Sequence, residues 1–600
     1  MTATPNVFAQ RIAAAQNAMA ALGLEACLVP SSDPHLSEYL PARWQGRQWL
    51  SGFTGSMATL AITRNRAALF ADSRYWTQAE SELAGSGIEL VKIDSGAATH
   101  HVQWLAQAVQ PGQSVGVDGA VLGLAAAAQL REALNQVGAS LRTDVDLLAT
   151  IWPDRADLPQ APVYEHDAAY VSAPRSAKLA QVRAAMLQAG ASHHFISTVD
   201  DIAWLFNLRG SDVSFNPIFL AHALIDGTGA TLFVSQGKVP AELAARLQAD
   251  SVQLQDYAQA GAALAALPAN AVLLLDPRRV TLGLRESAPP SVKVVEAVNP
   301  SVLLKSRKNA HEAAHVRKAM EQDGAAMCAF YAWFEKALGT ERITELTIDE
   351  RLTAERAKRP GFMGLSFNTI AGFNANGAMP HYRATPESHA VIEGNGLLLI
   401  DSGGQYPGGT TDITRVWPIG TPSDAQKRDY TLVLKGTIGL SCARFPLGTL
   451  SPMLDALARA PLWAHGMDYG HGTGHGVGYF LAVHEGPQSI SKAIPDANMA
   501  MQPGMITSIE PGLYRSGKWG VRIENLVLNV SAPTHEPFGE FLEFETLTLC
   551  PIDTRCIDRT LLRTDEIDWL NAYHATVRAR LSPLLEGAAL AWLVQRTAPI

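Results

Sequence analysis

The apolar residues Phe8, Ile12 and Met19 share one helical face and predict an amphipathic helix. The unbroken run Ala26-Cys27-Leu28-Val29 after it predicts a buried strand. Loop residues follow at Ser31-Ser32-Asp33-Pro34, and Pro153, Pro159, Pro162 and Pro174 mark a linker. Beyond the linker the order repeats. A helical pattern from Ser176 to Gly190 leads into a strand-like His194-Phe195-Ile196-Ser197 and an Asp-rich turn at Asp200-Asp201. The repeat predicts two N-terminal domains of similar mixed α/β build, over 1–153 and 154–305. A turn signal at Asn299-Pro300 and the basic stretch Lys305-Ser306-Arg307-Lys308 close the second of them. The remaining chain, 306–600, carries the residues with chemistry in them.

Composition narrows the classes. At 600 residues the chain is too long for one core, which predicts three or four domains. Apolar residues at 47% and charged residues at 18% are ordinary for a soluble protein. The net charge of −9 argues against nucleic acid as a partner. No uninterrupted apolar run is long enough to span a bilayer, so no membrane partner is expected either. The Ala-rich, amphipathic N-terminus, with Arg11, lacks the basic and apolar regions of a signal peptide. Cys27, Cys328, Cys442, Cys550 and Cys556 are scattered, odd in number and without a CxxC pair. They predict a reducing cytoplasm, with neither a disulfide framework nor a thiolate zinc site.

Two carboxylate-bearing hairpins stand out. Asp401 ends the apolar run Leu397-Leu398-Leu399-Ile400; a Gly-rich turn follows, and the chain returns through Thr411-Asp412-Ile413-Thr414-Arg415-Val416. This places Asp401 and Asp412 face to face across a hairpin. Met505–Ile509 leads likewise into Glu510, Pro511-Gly512 turns the chain, and Val521-Arg522-Ile523-Glu524 comes back with Arg522 and Glu524 on one face. Between the hairpins lies Gly470-His471-Gly472-Thr473-Gly474-His475-Gly476-Val477-Gly478. Its glycines permit close backbone approach and unusual dihedrals around two imidazoles. Four carboxylates in one apolar pocket repel and protonate unless cations neutralise them, and two divalent ions balance their charge. Such a donor set suits a hard ion such as Mn2+. Paired metals about 3.5–4 Å apart hold and acidify a water, which is the chemistry of amide hydrolysis. Singly, each of these acids reads as a turn or solvated residue; the joint pattern is not explained by packing.

These residues resemble a known group. The ordered set Asp401, Asp412, His475, Glu510 and Glu524 matches the five ligands of the pita-bread metallopeptidases, which include methionine aminopeptidase, prolidase and aminopeptidase P. The strings IDSGGQYPGGTTDITR, HGTGHGVGYFLAVHEGP and SIEPGLY…GVRIEN look like aminopeptidase P in particular. The two N-terminal domains and the tail FLEFETLTLCPIDTRCIDRTLL extend the likeness to the long, three-domain cytosolic Xaa-Pro aminopeptidases. The resemblance implies an α/β (α+β) chain. Two creatinase/prolidase-like domains precede a pita-bread catalytic domain over 306–540 and a C-terminal extension over 541–600. It implies hydrolysis of the N-terminal Xaa-Pro bond of peptides with proline in second position, by a hydroxide bridging two Mn2+, with Zn2+ or Co2+ as alternatives, in a homodimer. By resemblance Asp401 would chelate one metal, Asp412 and Glu524 would bridge, and His475 and Glu510 would complete the second. Glu510 would also accept a proton. His381, His471 and His484 would polarise the carbonyl, bind peptide backbone and shuttle a proton, and Arg522 would orient a ligating carboxylate. One departure is Arg383-Ala384-Thr385, which stands before Pro386 where the family has proline soon after the His-Tyr pair.

Other patterns compete. His311-Glu312-Ala313-Ala314-His315 spells HExxH on a helix, but both histidines point away from the stripe Val316, Met320, Met327, as a solvated linker helix would have them. Gly512–Trp519 has P-loop spacing, yet Trp519 stands where a Ser or Thr would hold Mg2+. The glycine loop lacks the strand-to-helix context of a dinucleotide site. Two rival functions are a metal-free peptide- or protein-binding module of the same fold and a prolidase-type dipeptidase. All five ligands are present, which disfavours the first; the N-terminal domains and the tail disfavour the second.

Overall fold

The first predicted helix runs from Val7 to Ala21 and buries Ile12, Ala15 and Met19, and strand Ala26–Val29 follows, buried throughout. The computed structural model describes residues 6–94 and 99–600. The chain divides into two units, one of residues up to Glu165 and Ala173–Ser301, the other of His166–Ser172 and Val302–Ile600.

The first unit holds two six-stranded mixed sheets of matching topology. In one, Ala26–Val29 pairs antiparallel with Thr59–Thr63 and parallel with Ser114–Gly116. In the other, His193–Ile196 takes the same place between antiparallel Ala221–Asp226 and parallel Val272–Leu275. The expected turn at Asp200-Asp201 is instead the start of helix Val199–Leu205. Both carboxylates sit in its first turn, where the unpaired N–H groups and the positive end of the helix dipole favour them.

In the second unit helix α1 (Ala310–Ala337) follows the basic stretch. Asn309 caps it, and the Glu312 side chain reaches back to the Asn309 N–H at 3.0 Å. The glutamate of the HExxH string therefore closes a capping box. Val316, Met320 and Met327 are buried as the stripe requires.

Strand β1 (Gly396–Ser402) is the middle of a three-stranded sheet, between Ile370–Phe373 and β2 (Ile413–Ile419). Across from Asp401 stands Thr414, not Asp412. Residues 403–411 leave the sheet: Gly404–Tyr406 and Gly409–Thr410 pair in a separate sheet with Gly364–Leu365. The crossing at Gly403 is close enough that a Cβ there would lie 2.0 Å from the Thr411 carbonyl oxygen.

A six-stranded sheet carries β3 (Gly474–Gly476) between Glu485–Ile490 and β4 (Ile506–Ile509). Pro511-Gly512 does not turn the chain. It continues as β5 (Gly512–Arg515), turns at 516–518, and returns as β6 (Trp519–Arg522) and β7 (Asn525–Ala532). β4 pairs with β7 and β5 with β6 in different sheets, so Glu510 and Glu524 both fall at the step between them.

The C-terminal residues belong to this core. Trp592 of helix Gly587–Arg596 packs against Tyr331 of α1 and Trp417 of β2, ring centroids 5.6 Å from each. Arg415, buried in β2, donates to the carbonyls of Thr414, Glu524, Cys550 and Pro551 and to Asn525 and Tyr573. Its planar fork thus ties the tail to strands that carry site residues.

Candidate metal centre and active site

The two sheets bring all five ligand candidates of the sequence together. Asp412, His475 and Glu524 each offer an atom within 4.8 Å of the others. His475 Nε2 lies 3.4 Å from Asp412 Oδ2 and 3.5 Å from Glu510 Oε1. Its Nδ1 faces the Gly476 carbonyl at 3.0 Å, and a carbonyl only accepts, so Nδ1 carries the proton and Nε2 is turned to the carboxylates. Asp401 joins from β1, and its Oδ2 accepts from Arg522 Nη2 at 2.6 Å.

The glycines around His475 serve approach rather than dihedral freedom. A Cβ on Gly474 would sit 1.9 Å from the Ser508 carbonyl oxygen, and one on Gly476 would sit 2.4 Å from that of Glu485. None of the five glycines from Gly470 to Gly478 has a positive φ; the left-handed residue nearby is Phe480, at +51°.

The donors fit divalent cations on two grounds. Asp401 Oδ1 and Glu524 Oε1 are buried and have no hydrogen-bond partner among the described residues, which is costly unless a ligand takes them. The charges are also mutually adverse. Burial raises Asp401 to about 6 against the pull of Arg522, and burial raises Glu510 to about 7. Burial and then Asp412 push Glu524 well above the ordinary carboxylate range. Burial opposes the charged form of His475, yet Asp412 and Glu510 outweigh it and bring the imidazole up to about 9. Bound cations would relieve each of these conflicts.

Arg522, the candidate orienting residue, is buried and makes several hydrogen bonds. Besides Asp401, it donates from Nε to Thr414 Oγ1 at 3.1 Å and from Nη2 to the Pro380 carbonyl at 3.3 Å. Thr414 Oγ1 in turn donates to Glu524 Oε2 at 2.8 Å. His471 Nδ1 faces the Gly472 carbonyl, so Nε2 accepts from the Tyr514 hydroxyl at 2.8 Å. Tyr514 itself accepts from Arg522 Nη1 at 2.7 Å. His484 is exposed, its ring perpendicular to that of His475 with centroids 4.3 Å apart. His381 is half-buried and follows Pro380, whose carbonyl rests on Arg522.

The sequence reading missed Tyr514, Thr414 and Glu345. Tyr514 stands four residues after Glu510 in a string already notable for its resemblance, which was its only signal. Glu345 is fully buried and accepts from the N–H groups of Phe373 and Ala390, from Asn376 and from the Tyr382 hydroxyl. It thereby holds the segment bearing His381, from a helix whose local pattern gives no hint of the site.

The chain matches known proteins over its whole length. Residues 314–530 match metallopeptidase family M24, residues 11–152 and 154–312 match creatinase/prolidase N-terminal domains, and residues 540–600 match the C-terminal region of peptidase M24. Aminopeptidase P2 of Arabidopsis thaliana is 38% identical, covering 96% of this chain and 86% of that one. Xaa-Pro aminopeptidase 2 of Sus scrofa is 35% identical over 98% of this chain and 89% of its own. The crystal structure of an X-prolyl aminopeptidase from Caenorhabditis elegans, described as a cytosolic enzyme with a di-nuclear active site, superposes with a TM-score of 0.92. It is 30% identical and covers 99% of this chain and 100% of that one. The catalytic unit thus has the pita-bread fold, and the chain belongs to the aminopeptidase P group of metallopeptidase family M24.

Proposed function

We propose that this chain is a metal-dependent aminopeptidase that hydrolyses the Xaa-Pro bond at a peptide N-terminus and releases the first amino acid. The observation that carries this reading is the cluster of Asp412, His475 and Glu524, with Glu510 Oε1 3.5 Å from His475 and two buried carboxylate oxygens, Asp401 Oδ1 and Glu524 Oε1, lacking partners among the described residues. Retention of every ligand position disfavours a metal-free binding module.

Asp401, Asp412, His475, Glu510 and Glu524 would hold two divalent ions, Mn2+ in this proposal with Zn2+ or Co2+ as alternatives. Bound there, the ions supply Lewis acidity and an acidified water. Glu510, its side chain 18% exposed, takes a proton from the attacking water. It returns that proton to the proline nitrogen, which must leave as a secondary amine. His484, beside His475, polarises the scissile carbonyl. His471, aimed by Tyr514, and His381 bind peptide backbone and shuttle the proton. An Xaa-Pro amide has no N–H and restricts the residue before it, so a dedicated cleft is needed.

Three further assignments belong to this reading. The domain scheme 1–153, 154–305, 306–540 and 541–600 is supported by the matching sheets of the first unit and by the family matches. A homodimer is supported by the surface of helix Asp455–Trp463 and the turn before it. There Met453, Ala456, Leu457, Ala460, Trp463 and Ala464 are all exposed and all apolar, and they repeat at helical spacing. The cytoplasm is supported by five free cysteines and by the cytosolic C. elegans neighbour.

The test compares an Arg-Pro-Pro peptide with Arg-Ala-Pro, with Mn2+ and after chelation. Metal-dependent release of arginine from the first alone is expected. No cleavage of either peptide with metal bound would overturn the proposal, and cleavage of both would remove its proline specificity.

A further inference from the structure

Between Glu165 and Ala173 the chain departs from its sequence neighbours: His166–Ser172 pack with the catalytic unit, although the residues on either side belong to the other unit. None of the chemistry above uses this strap, yet its contacts are specific. His166 Nε2 faces the Pro407 carbonyl at 2.7 Å and therefore donates to it. Pro407 lies in the turn of the small hairpin that separates Asp401 from Asp412. The same imidazole packs against the rings of Phe480 and Tyr479, centroids 5.5 and 5.8 Å away. The Tyr479 hydroxyl donates to the Tyr170 carbonyl at 3.0 Å. Gly408 leaves room for Tyr170, whose ring a Cβ there would meet at 3.3 Å. The HExxH string finds its use at the far end. His311 Nε2 lies 3.2 Å from the Ala169 carbonyl, and Glu312 accepts from the Ser172 hydroxyl at 2.8 Å.

What the strap touches is the loop that carries His484. Phe480 is buried in the left-handed region, a conformation that a bulky residue keeps only when its surroundings impose it. The Leu481 carbonyl accepts from Gln405 Nε2 at 2.8 Å and from Thr410 Oγ1 at 3.2 Å, which fastens the loop to the same hairpin that His166 holds. His484 itself is exposed and its ring packs on that of His475, so the backbone on either side contributes to its place. Downstream, Glu485 is pinned by Lys308 at 2.5 Å. Upstream, the hairpin holds Leu481 and the strap holds Tyr479 and Phe480.

We propose that residues 166–172 are a positioning strap for His484, with His166 locking the Pro407 turn and the Phe480 ring into the one arrangement that aims the catalytic loop. This rests on the role proposed for His484. A displacement of the order of an ångström in such a group costs roughly a hundredfold in rate, so the strap acts on kcat without touching substrate.

The test is a double-mutant cycle on the full-length, metal-loaded enzyme with an Arg-Pro-Pro peptide. His166→Ala is expected to lower kcat about 10- to 100-fold, with KM changed by less than about threefold and metal content unchanged. His166→Gln, which keeps an N–H donor, is expected to recover most of the loss. On a His484→Ala background, His166→Ala is expected to cost nothing further, because both act through one group. Should His166→Ala not fold, Tyr479→Phe removes a single hydroxyl and enters the same cycle, with a loss of about threefold expected. Losses that multiply with His484→Ala, or no loss at all, would overturn the strap alone. Full activity of His484→Ala by itself would overturn the role of His484 and the strap with it.

Discussion

Arg522 Nη2 lies 2.6 Å from Asp401 Oδ2, with the two side chains only 3% and 11% exposed. A guanidinium so buried beside a carboxylate of the ligand set cannot be there for surface electrostatics. It holds Oδ2 of the Asp401 carboxylate and leaves the other oxygen, Oδ1, without a partner among the described residues, which under the proposed function would be the oxygen that takes a cation. Arg522→Ala is expected to weaken metal binding about 10- to 100-fold and to lower kcat/KM in step. Arg522→Lys, a point charge without the fork, should recover only part. Metal titration followed by bound-metal analysis checks both; unchanged affinity in Arg522→Ala would remove the orienting role.

Tyr514 links that arginine to His471 through two hydrogen bonds of 2.7 and 2.8 Å. Tyr514→Phe leaves His471 Nε2 without its donor and one Arg522 N–H without its acceptor. A fall in kcat of about tenfold is expected, at unchanged metal content, consistent with the loss of one or two hydrogen bonds in a dry site. A wild-type kcat would show that His471 needs no such partner.

Removing the metals should reverse the pH dependence of stability. In the metal-free protein burial holds Asp401 at about 6 and Glu510 at about 7, above their ordinary 3.8 and 4.5. Between these values the folded chain keeps protons that the unfolded chain has released, so stability falls as pH rises from about 4 to 7. His475, raised from 6.5 to about 9, acts in the same sense higher up. Its contribution is complete below the lower value and lost as pH rises through the upper one. Thermal melts of chelated protein should therefore decline across this range, while stabilisation by Mn2+ grows with pH as the ligands lose their protons. A metal-free melting temperature that rises from pH 5 to 9 would contradict the buried-carboxylate account.

The C-terminal residues should prove inseparable from the catalytic unit. Arg415 joins the carbonyls of Cys550 and Pro551 to that of Glu524, and Trp592 fills the core beside Trp417. Trp592→Ala is expected to destabilise by about 3–5 kcal/mol, the usual cost of an aromatic-to-alanine cavity, measured by urea denaturation. A change below about 1 kcal/mol would mean that the tail merely rests on the unit.

The apolar surface around Trp463 makes the proposed dimer testable. Trp463 is 46% exposed, Leu457 44% and Met453 65%. Leu457→Asp with Trp463→Arg is expected to leave the melting temperature close to wild type and to shift sedimentation from dimer to monomer. A wild-type sedimentation coefficient would place the interface elsewhere.

The candidate ligands could be singled out because the chemistry of each is local. Asp401 closes an apolar run, His475 sits among glycines, Glu510 precedes Pro511-Gly512 and Glu524 ends an alternating strand, and their joint pattern together with the family resemblance marks them. The early helix, strand Ala26–Val29 and the duplicated order were legible for the same reason, since periodicity reports which face is buried. Pairing was not. Asp401 meets Thr414 because residues 403–411 join another sheet, and the chain passes beyond Pro511-Gly512 because β5 and β6 pair with each other. Register depends on which partner strand offers the better ladder, a comparison that no single segment contains. Glu345, Arg415 and His166 were silent, and Tyr514 was marked only by the string around it, for a related reason. Each acts through a partner far away in the chain, His471 in the case of Tyr514, and only the closing of the core decides which polar groups must find one another once water is gone.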